Sequence, residues 1–207
     1  MGERSKSATR LKRPGVFLDR DGVLNEPVVR NGKPYPPAFA DDITLCDGVE
    51  DALRKLRDVG FALIVVTNQP DISRETTSAE AVEQINNRLR AMLDLDDILV
   101  CPHDDADDCD CRKPRPGLLF RGAMRHNIDL QRSFMIGDRW RDIEAGASAG
   151  CRTALIDRCY DERQSSVAPD ARFRSILEAA NWVISNQLEF PLAKKDNDAP
   201  LRDYFED

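Results

Sequence analysis

Phe61-Ala62-Leu63-Ile64-Val65-Val66 is an unbroken apolar run, β-branched toward its end, and it constrains the fold more than any other stretch. A strand so uniformly apolar is buried on both faces, as in a parallel sheet. It follows Gly48 to Val59, where Val49, Ala52, Leu53, Leu56 and Val59 fall at helical spacing and Gly60 supplies the stop. The alternation recurs along the chain. Gly15 to Leu18 reads as a first strand, Ser78 to Leu93 as a helix with Ser78 at its N-cap, and Ile98 to Val100 as a third strand. Gly117 to His126 reads as a helix, Ser133 to Ile136 as a fourth strand, Asp142 to Ala149 as a helix and Thr153 to Ile156 as a fifth strand. Phe173, Ile176, Leu177, Ala180 and Ile184 suggest a last helix. Strands alternating with helices predict an α/β fold: a mostly parallel sheet with helices on both faces.

Length and charge bound the rest. The 207 residues suit one domain, and an apolar share of 41% is enough for a core. A formal net charge of −7 argues against nucleic acid or an anionic membrane as the main partner. No apolar stretch approaches the ~20 residues of a membrane helix. Met1 to Arg13 is basic and polar, without the apolar segment of a secretory signal. The expectation is a cytoplasmic monomer with a disordered lead-in over 1–13, one domain over 14–190 and a mobile tail over 191–207.

In parallel α/β sheets ligands bind beyond the carboxyl ends of the strands, so the residues that follow each strand should make chemical sense together. After the first strand comes Asp19-Arg20-Asp21-Gly22. Two carboxylates so close repel, and one tends to hold its proton. The pair offers a nucleophile or metal ligand and a proton donor, although Asp-x-Asp also occurs in plain turns and calcium loops. Thr67-Asn68-Gln69 follows the second strand, Arg112-Lys113-Pro114 the third and its loop, and Gly137-Asp138-Arg139-Trp140-Arg141-Asp142 the fourth. Singly, Thr67 could end a strand, Lys113 could be a solvated cation and Asp138 an N-cap. As a set they suit magnesium plus a phosphoryl group.

These four stretches, in this order, resemble the haloacid dehalogenase superfamily of phosphohydrolases, over roughly Val16 to Ile156. The resemblance implies a Rossmann-like three-layer sandwich. It implies Asp19 as nucleophile, forming an aspartyl-phosphate, and Asp21 as general acid and base. Magnesium would be held by the Asp19 carboxylate, the Asp21 carbonyl and Asp138, hard oxygens of the kind it prefers. Asp142, one helical turn on, would orient the metal's waters. Thr67 and the backbone around Asn68 would donate to phosphoryl oxygens, and Lys113 would neutralise the transition state. Gln69, Arg74, Arg112 and Arg139 are further candidates for substrate contact.

Cys101, His103, Cys109 and Cys111 form a second constellation, a complete tetrahedral zinc set with no open position, and so structural. Asp104, Asp105, Asp107, Asp108 and Asp110, interspersed among them, read as a solvated face. Cys46, Cys151 and Cys159 read as reduced thiols in or near the core. The zinc loop sharpens the resemblance, to the D-glycero-D-manno-heptose 1,7-bisphosphate 7-phosphatases and the related histidinol-phosphate phosphatases. That group lacks a large cap domain and acts on small phosphorylated substrates. Arg112 by position would touch a second phosphate or a sugar hydroxyl, or lie on the surface. The segment Pro70-Asp71-Ile72-Ser73-Arg74-Glu75 departs from the small residues usual there, and Arg74 keeps a cation in place. Pro27 to Pro37 reads as a flap over the pocket, where Arg30 and Lys33 either meet phosphate or, the favoured reading, are solvated. The favoured reading is a sugar-phosphate phosphatase. Its competitors are a histidinol-phosphate enzyme, a non-catalytic phosphosugar-binding module and a nucleic-acid 3′-phosphatase, the last disfavoured by the acidic balance.

Overall fold

A computed structural model of the chain describes residues 12–30 and 32–187. Its elements are β1 (Gly15–Leu18), β2 (Val28–Arg30), β3 (Lys33–Tyr35), α1 (Val49–Asp58), β4 (Ala62–Asn68), α2 (Ala79–Met92) and β5 (Asp97–Cys101). They continue with α3 (Gly117–His126), β6 (Phe134–Gly137), α4 (Trp140–Ser148), β7 (Arg152–Ile156), β8 (Ala171–Phe173) and α5 (Ile176–Asn186). Six strands form one sheet in the order β5-β4-β1-β6-β7-β8, and every pairing is parallel. β2 and β3 pair separately as an antiparallel hairpin.

Alternation along each strand divides the core into two layers. Val16, Leu18, Leu63, Val65 and Ile136 pack with α1, α2 and α5 through residues such as Leu53, Leu56, Leu89 and Val183. Phe17, Ile64, Val66 and Met135 face the other way, against Leu118 and Leu119 of α3 and Ala145 of α4. Three layers follow, α/β/α, and the central strands are buried on both faces as the Phe61–Val66 run requires. An aromatic stack closes one edge, with Phe134 edge-on to Phe61 and to Trp182 at centroid distances of 5.9 and 5.4 Å.

Several boundaries differ from the sequence expectation. β4 runs on through Thr67 and Asn68, so these residues belong to the strand end rather than to the loop after it. α4 begins at Trp140, two residues before the expected Asp142. Phe173 lies in β8, not in the last helix, where Ser175 caps the Glu178 N–H and starts α5 at Ile176. The Ser78 cap holds, accepting from the Ala81 N–H at 3.1 Å. The flap contains the hairpin, with Arg30 exposed over the Tyr35 ring. Cys46 and Cys151 are buried as expected, but Cys159 is exposed. Most of the expected lead-in and the whole tail over 191–207 lie outside the described residues. Arg13 does not belong to a disordered segment: its N–H donates to the Asn127 carbonyl and its guanidinium to Asp96, at 3.1 and 3.0 Å. Among the described residues, no helix is long and apolar enough to cross a membrane.

The topology also places the site. β1 lies between β4 and β6, so the chain departs to one side of β1 and later returns on the other. A crevice opens at the carboxyl end of such a switch point. Asp19 follows β1, Thr67 is near the end of β4, and Asp138 follows β6. Three adjacent strands therefore deliver three of the expected residues to one rim.

Candidate active site

A cavity of about 340 Å³ opens at this rim, lined by Asp19, Asp21, Thr67, Asn68, Gln69 and Lys113 among others. Lys113 reaches it from the loop after β5 and is 2% exposed. Its ammonium has three hydrogens and meets three acceptors: Val66 O at 2.7 Å, Asp19 Oδ1 at 2.9 Å and Asp142 Oδ1 at 2.6 Å. Burial alone would push this lysine's pKa down, but Asp142 and Asp19 hold it above the ordinary value, and the group stays charged. Burial pushes the Asp19 carboxyl up to about 6, against the pull of Lys113 and with a further push from Asp142 and Asp21. It remains ionised at pH 7. Asp19 Oδ1 also accepts from the Arg20 N–H at 2.8 Å, which fixes the rotation of the carboxylate.

Asp142 is held at both oxygens. One oxygen holds Lys113 and the other accepts from the Arg139 N–H at 3.0 Å, at the start of α4. Each oxygen keeps a further lone pair, and one lies within 4.8 Å of oxygens of Asp19 and Asp138, so holding the ammonium group does not displace the role expected beside a cation's waters. The close contact depends on Gly137, where a Cβ would stand 2.1 Å from Asp142 Cβ.

Asp138 is the group whose state needs a cation. Tyr160 donates to its Oδ2 at 2.9 Å, while Oδ1 is buried with no partner among the described residues. Burial raises its pKa well above the usual range, and Asp19 and Asp142 add to this. An unpartnered buried carboxylate oxygen is costly, and the oxygens of Asp19, Asp138 and Asp142 lie within 4.8 Å of one another. Five cations and six carboxylates line the cavity among the described residues, a poor balance for receiving a phosphate unless a divalent ion is added. The residues fit magnesium, with Asp19 and Asp138 as carboxylate ligands. Gly22 is required here. Its φ is +88°, and a Cβ would stand 1.7 Å from Asp138 Oδ2.

Asp21 is held by a clamp of donors. Arg20, fully buried, donates to both of its oxygens at 3.3 and 2.9 Å, and Asn25 and Gln69 donate at 3.0 Å each. Gln69 spends its second amide hydrogen on Thr67 Oγ1 at 2.9 Å. The Thr67 hydroxyl therefore accepts inside the protein and keeps its own hydrogen for a ligand. Gln69, a candidate for substrate contact, lines the cavity and gives both amide hydrogens to Asp21 and Thr67. The Asn68 side chain donates to Lys113 O and accepts from Lys113 N–H at 3.0 Å each, which leaves untouched the backbone role expected around it. This double bond ties the lysine's backbone to the end of β4.

The acidic run is exposed at Asp105, Asp107, Asp108 and Asp110, as a solvated face should be, and several of its carboxylates also take partners. Asp104 accepts two bonds of 2.7 Å from Arg74, which also reaches Asp71 at 3.4 Å. Asp105 accepts from Arg112 at 2.7 Å and from Arg141 at 2.9 and 3.1 Å, and its pKa falls to about 2, chiefly through Arg112. Asp107 accepts from Ser73, and Asp108 pairs with Arg115. Arg139, expected to touch substrate, is held by both oxygens of Glu162. The stretch Arg158 to Glu162 went unrecognised in the sequence. Arg158 donates to Gly22 O at 3.0 Å, Tyr160 to Asp138, and the Asp161 N–H to Gly32 O at 3.3 Å. It sews the loop after β1, the hairpin and the β6 rim together.

Cys101, His103, Cys109 and Cys111 converge as expected. Their sulfurs are 3.2 to 3.7 Å apart, and His103 Nδ1 lies 3.3 Å from Cys111 Sγ and 3.7 Å from Cys101 Sγ. A zinc tetrahedron with 2.3 Å bonds has sulfur–sulfur edges of about 3.8 Å, so the donor set fits zinc. The cluster is wired to the cavity. Cys101 pairs in the sheet with Asn68, which holds Lys113, and Cys111 is two residues from Lys113. Removing the metal with a chelator is expected to release one zinc per chain, lower Tm by about 5–10 °C and reduce turnover about tenfold. Metal analysis with a parallel assay checks this, and full activity in zinc-free protein would contradict it.

A parallel sheet with carboxylates, an ammonium group and a cation-seeking Asp138 at its central rim defines a class: a carboxylate-dependent enzyme on a doubly wound α/β fold. The chain belongs to the haloacid dehalogenase-like hydrolases, whose family model matches residues 37–150, a span that holds Thr67, Lys113 and Asp138. It is similar to the D-glycero-beta-D-manno-heptose-1,7-bisphosphate 7-phosphatase of Escherichia coli K12, at 34% identity over 91% of this chain and 97% of that protein. The counterpart from Photorhabdus laumondii is 36% identical over 88% of this chain and 95% of its own. The crystal structure of a D,D-heptose 1,7-bisphosphate phosphatase from B. bronchiseptica, complexed with magnesium and phosphate, shares the fold at a TM-score of 0.68 and 24% identity, covering 84% of this chain and 99% of that one.

Proposed function

We propose that the chain is a magnesium-dependent phosphomonoester hydrolase that removes the 7-phosphate of D-glycero-D-manno-heptose 1,7-bisphosphate. The observation that carries the reading is the Asp19–Lys113–Asp142 triad at one rim with the unpartnered oxygen of Asp138, since it combines a fixed nucleophile with a place for a cation. The names and coverage of the relatives supply the sugar. In this reading Asp19 attacks phosphorus in line, and the bond to the departing sugar oxygen breaks as the aspartyl-phosphate forms. Asp21 gives that oxygen its proton, then takes one from the water that hydrolyses the acyl phosphate. Lys113 and the Thr67 hydroxyl hold the phosphoryl oxygens, with their own positions set by Asp142, Asn68 and Gln69. Magnesium, held by Asp19, the Asp21 carbonyl and Asp138, would offset charge on the phosphoryl group. The work of a cytoplasmic monomer is part of the same proposal.

A phosphate-release screen tests the substrate. The heptose bisphosphate is expected to exceed histidinol phosphate and common sugar monophosphates at least about a hundredfold in kcat/KM, with no release in the absence of magnesium. Equal, feeble rates on all of them would remove the assignment. Tyr160 has a separate test. Its hydroxyl fixes one oxygen of Asp138 so that the other is presented to the cation. Tyr160→Phe is expected to weaken magnesium binding about tenfold, read by calorimetry without substrate. Unchanged magnesium affinity would show that the hydroxyl positions nothing.

A further inference from the structure

The rim carries two layers of charge, and the neighbours of the reactive residues build the outer one. Lys113 and Asp142 form the inner ion pair, at 2.6 Å. Arg112 precedes Lys113 and Arg141 precedes Asp142. Both guanidiniums turn to one carboxylate, Asp105, at 2.7 Å for Arg112 and at 2.9 and 3.1 Å for Arg141. All three line the same cavity as Asp19 and Thr67. We propose that Arg141 adds a second cation to the place where Arg112 was already expected to meet a second phosphate, and that Asp105 occupies this place in the substrate-free enzyme. The inference rests on the reading of the pocket as a phosphomonoesterase and adds to it a residue, Arg141, and an internal competitor, Asp105.

The three side chains differ in how firmly they are held. Arg112 is 10% exposed and also donates to His103 O at 3.1 Å. The Arg141 guanidinium lies over the Trp140 ring, 4.6 Å from its centroid, and donates to Lys113 O at 3.3 Å. Asp105 is 59% exposed, at the start of a three-residue turn, Asp105–Asp107. The cations are anchored and the carboxylate is free to swing away. A carboxylate bridging two guanidiniums offers them two oxygens and one negative charge. A phosphate monoester offers three oxygens and up to two charges in the same fork geometry, so it displaces the carboxylate. A substrate with only the scissile phosphate has nothing with which to displace it. The device therefore selects bisphosphates, or phosphates that bear a distant carboxylate, over simple monophosphates.

The test compares D-glycero-D-manno-heptose 1,7-bisphosphate with heptose 7-phosphate, using zinc-loaded enzyme and magnesium. Both esters carry the same scissile group. Arg141→Met is expected to cut the bisphosphate-to-monophosphate ratio of kcat/KM by about tenfold or more, through KM. Asp105→Ala is expected to raise that ratio about three- to tenfold, through a lower KM for the bisphosphate. Asp105→Asn, isosteric and uncharged, is expected to move it the same way and serves if the alanine variant does not fold. A fall of the ratio in the Asp105 variants would overturn the proposal, because the carboxylate would then be organising the arginines rather than competing for them. An equal loss on both esters in Arg141→Met would overturn it too, because Arg141 would then act through the Lys113 carbonyl. Failure of the wild-type enzyme to hydrolyse p-nitrophenyl phosphate or either heptose ester would instead overturn the phosphatase reading, and this inference with it.

Discussion

Asp19→Asn is expected to reduce turnover by roughly four to six orders of magnitude while leaving substrate binding within a few-fold. An amide cannot attack phosphorus, so the covalent route closes. The rest of the site survives, because the carboxamide oxygen can still accept from Lys113 and from the Arg20 N–H, the two donors that now hold Asp19 Oδ1. Lys113 keeps Asp142 and Val66 O. Removing one negative charge from a cavity lined by six carboxylates also lessens repulsion of a phosphate. Calorimetric titration with the heptose bisphosphate, beside a phosphate-release assay, separates the two effects. Retained turnover would take the nucleophile's role from Asp19.

Lys113→Met is expected to damage both stability and activity. Lys113 is the cation between two carboxylates that are almost fully buried, and its loss leaves them facing each other. Breaking such a buried pair costs about 3–5 kcal/mol, which lowers Tm by roughly 6–20 °C for a domain of this size. Turnover should fall at least about a hundredfold, since the charge beside the phosphoryl oxygens goes with it. Lys113→Arg should not restore either property. Three hydrogens on one nitrogen match three acceptors at 2.6 to 2.9 Å, and a planar guanidinium cannot reproduce that in a site 2% exposed. Wild-type stability in Lys113→Met would mean that the ion pair is not holding the rim together.

What could be read from the residues alone follows a physical division. The Phe61–Val66 run and the helical spacing over Val49–Val59 state burial directly, and the strands and helices they implied are present. The convergence of Asp19, Thr67 and Asp138 was legible because each follows or lies at the end of a strand and a parallel sheet brings such ends together, while Lys113 arrives from the long loop after β5. The thiol cluster was legible because its donors are close in sequence. Pairing across the fold was not legible. Asp105 is exposed as expected, but nothing local in the sequence shows that Arg112 and Arg141 turn to meet it. The side-chain bonds of Gln69 and Asn68 were not legible either, because a polar side chain at a strand end says nothing about which partner it takes. Tyr160 sits in an irregular stretch with no periodicity, and only its bond to Asp138 distinguishes it. β8 and the hairpin strands are three residues each, too short for a pattern.

The central claim is that the Asp19 carboxylate carries the phosphoryl group in mid-reaction, with Lys113 and Asp138 set around it. Rapid acid quench of the enzyme with substrate labelled in the scissile phosphate, followed by peptide mapping, measures this directly. The expected result is label on the peptide containing Asp19, formed faster than free phosphate appears and released by hydroxylamine. Label on a different residue, or phosphate release with no labelled protein at any quench time, would contradict the account.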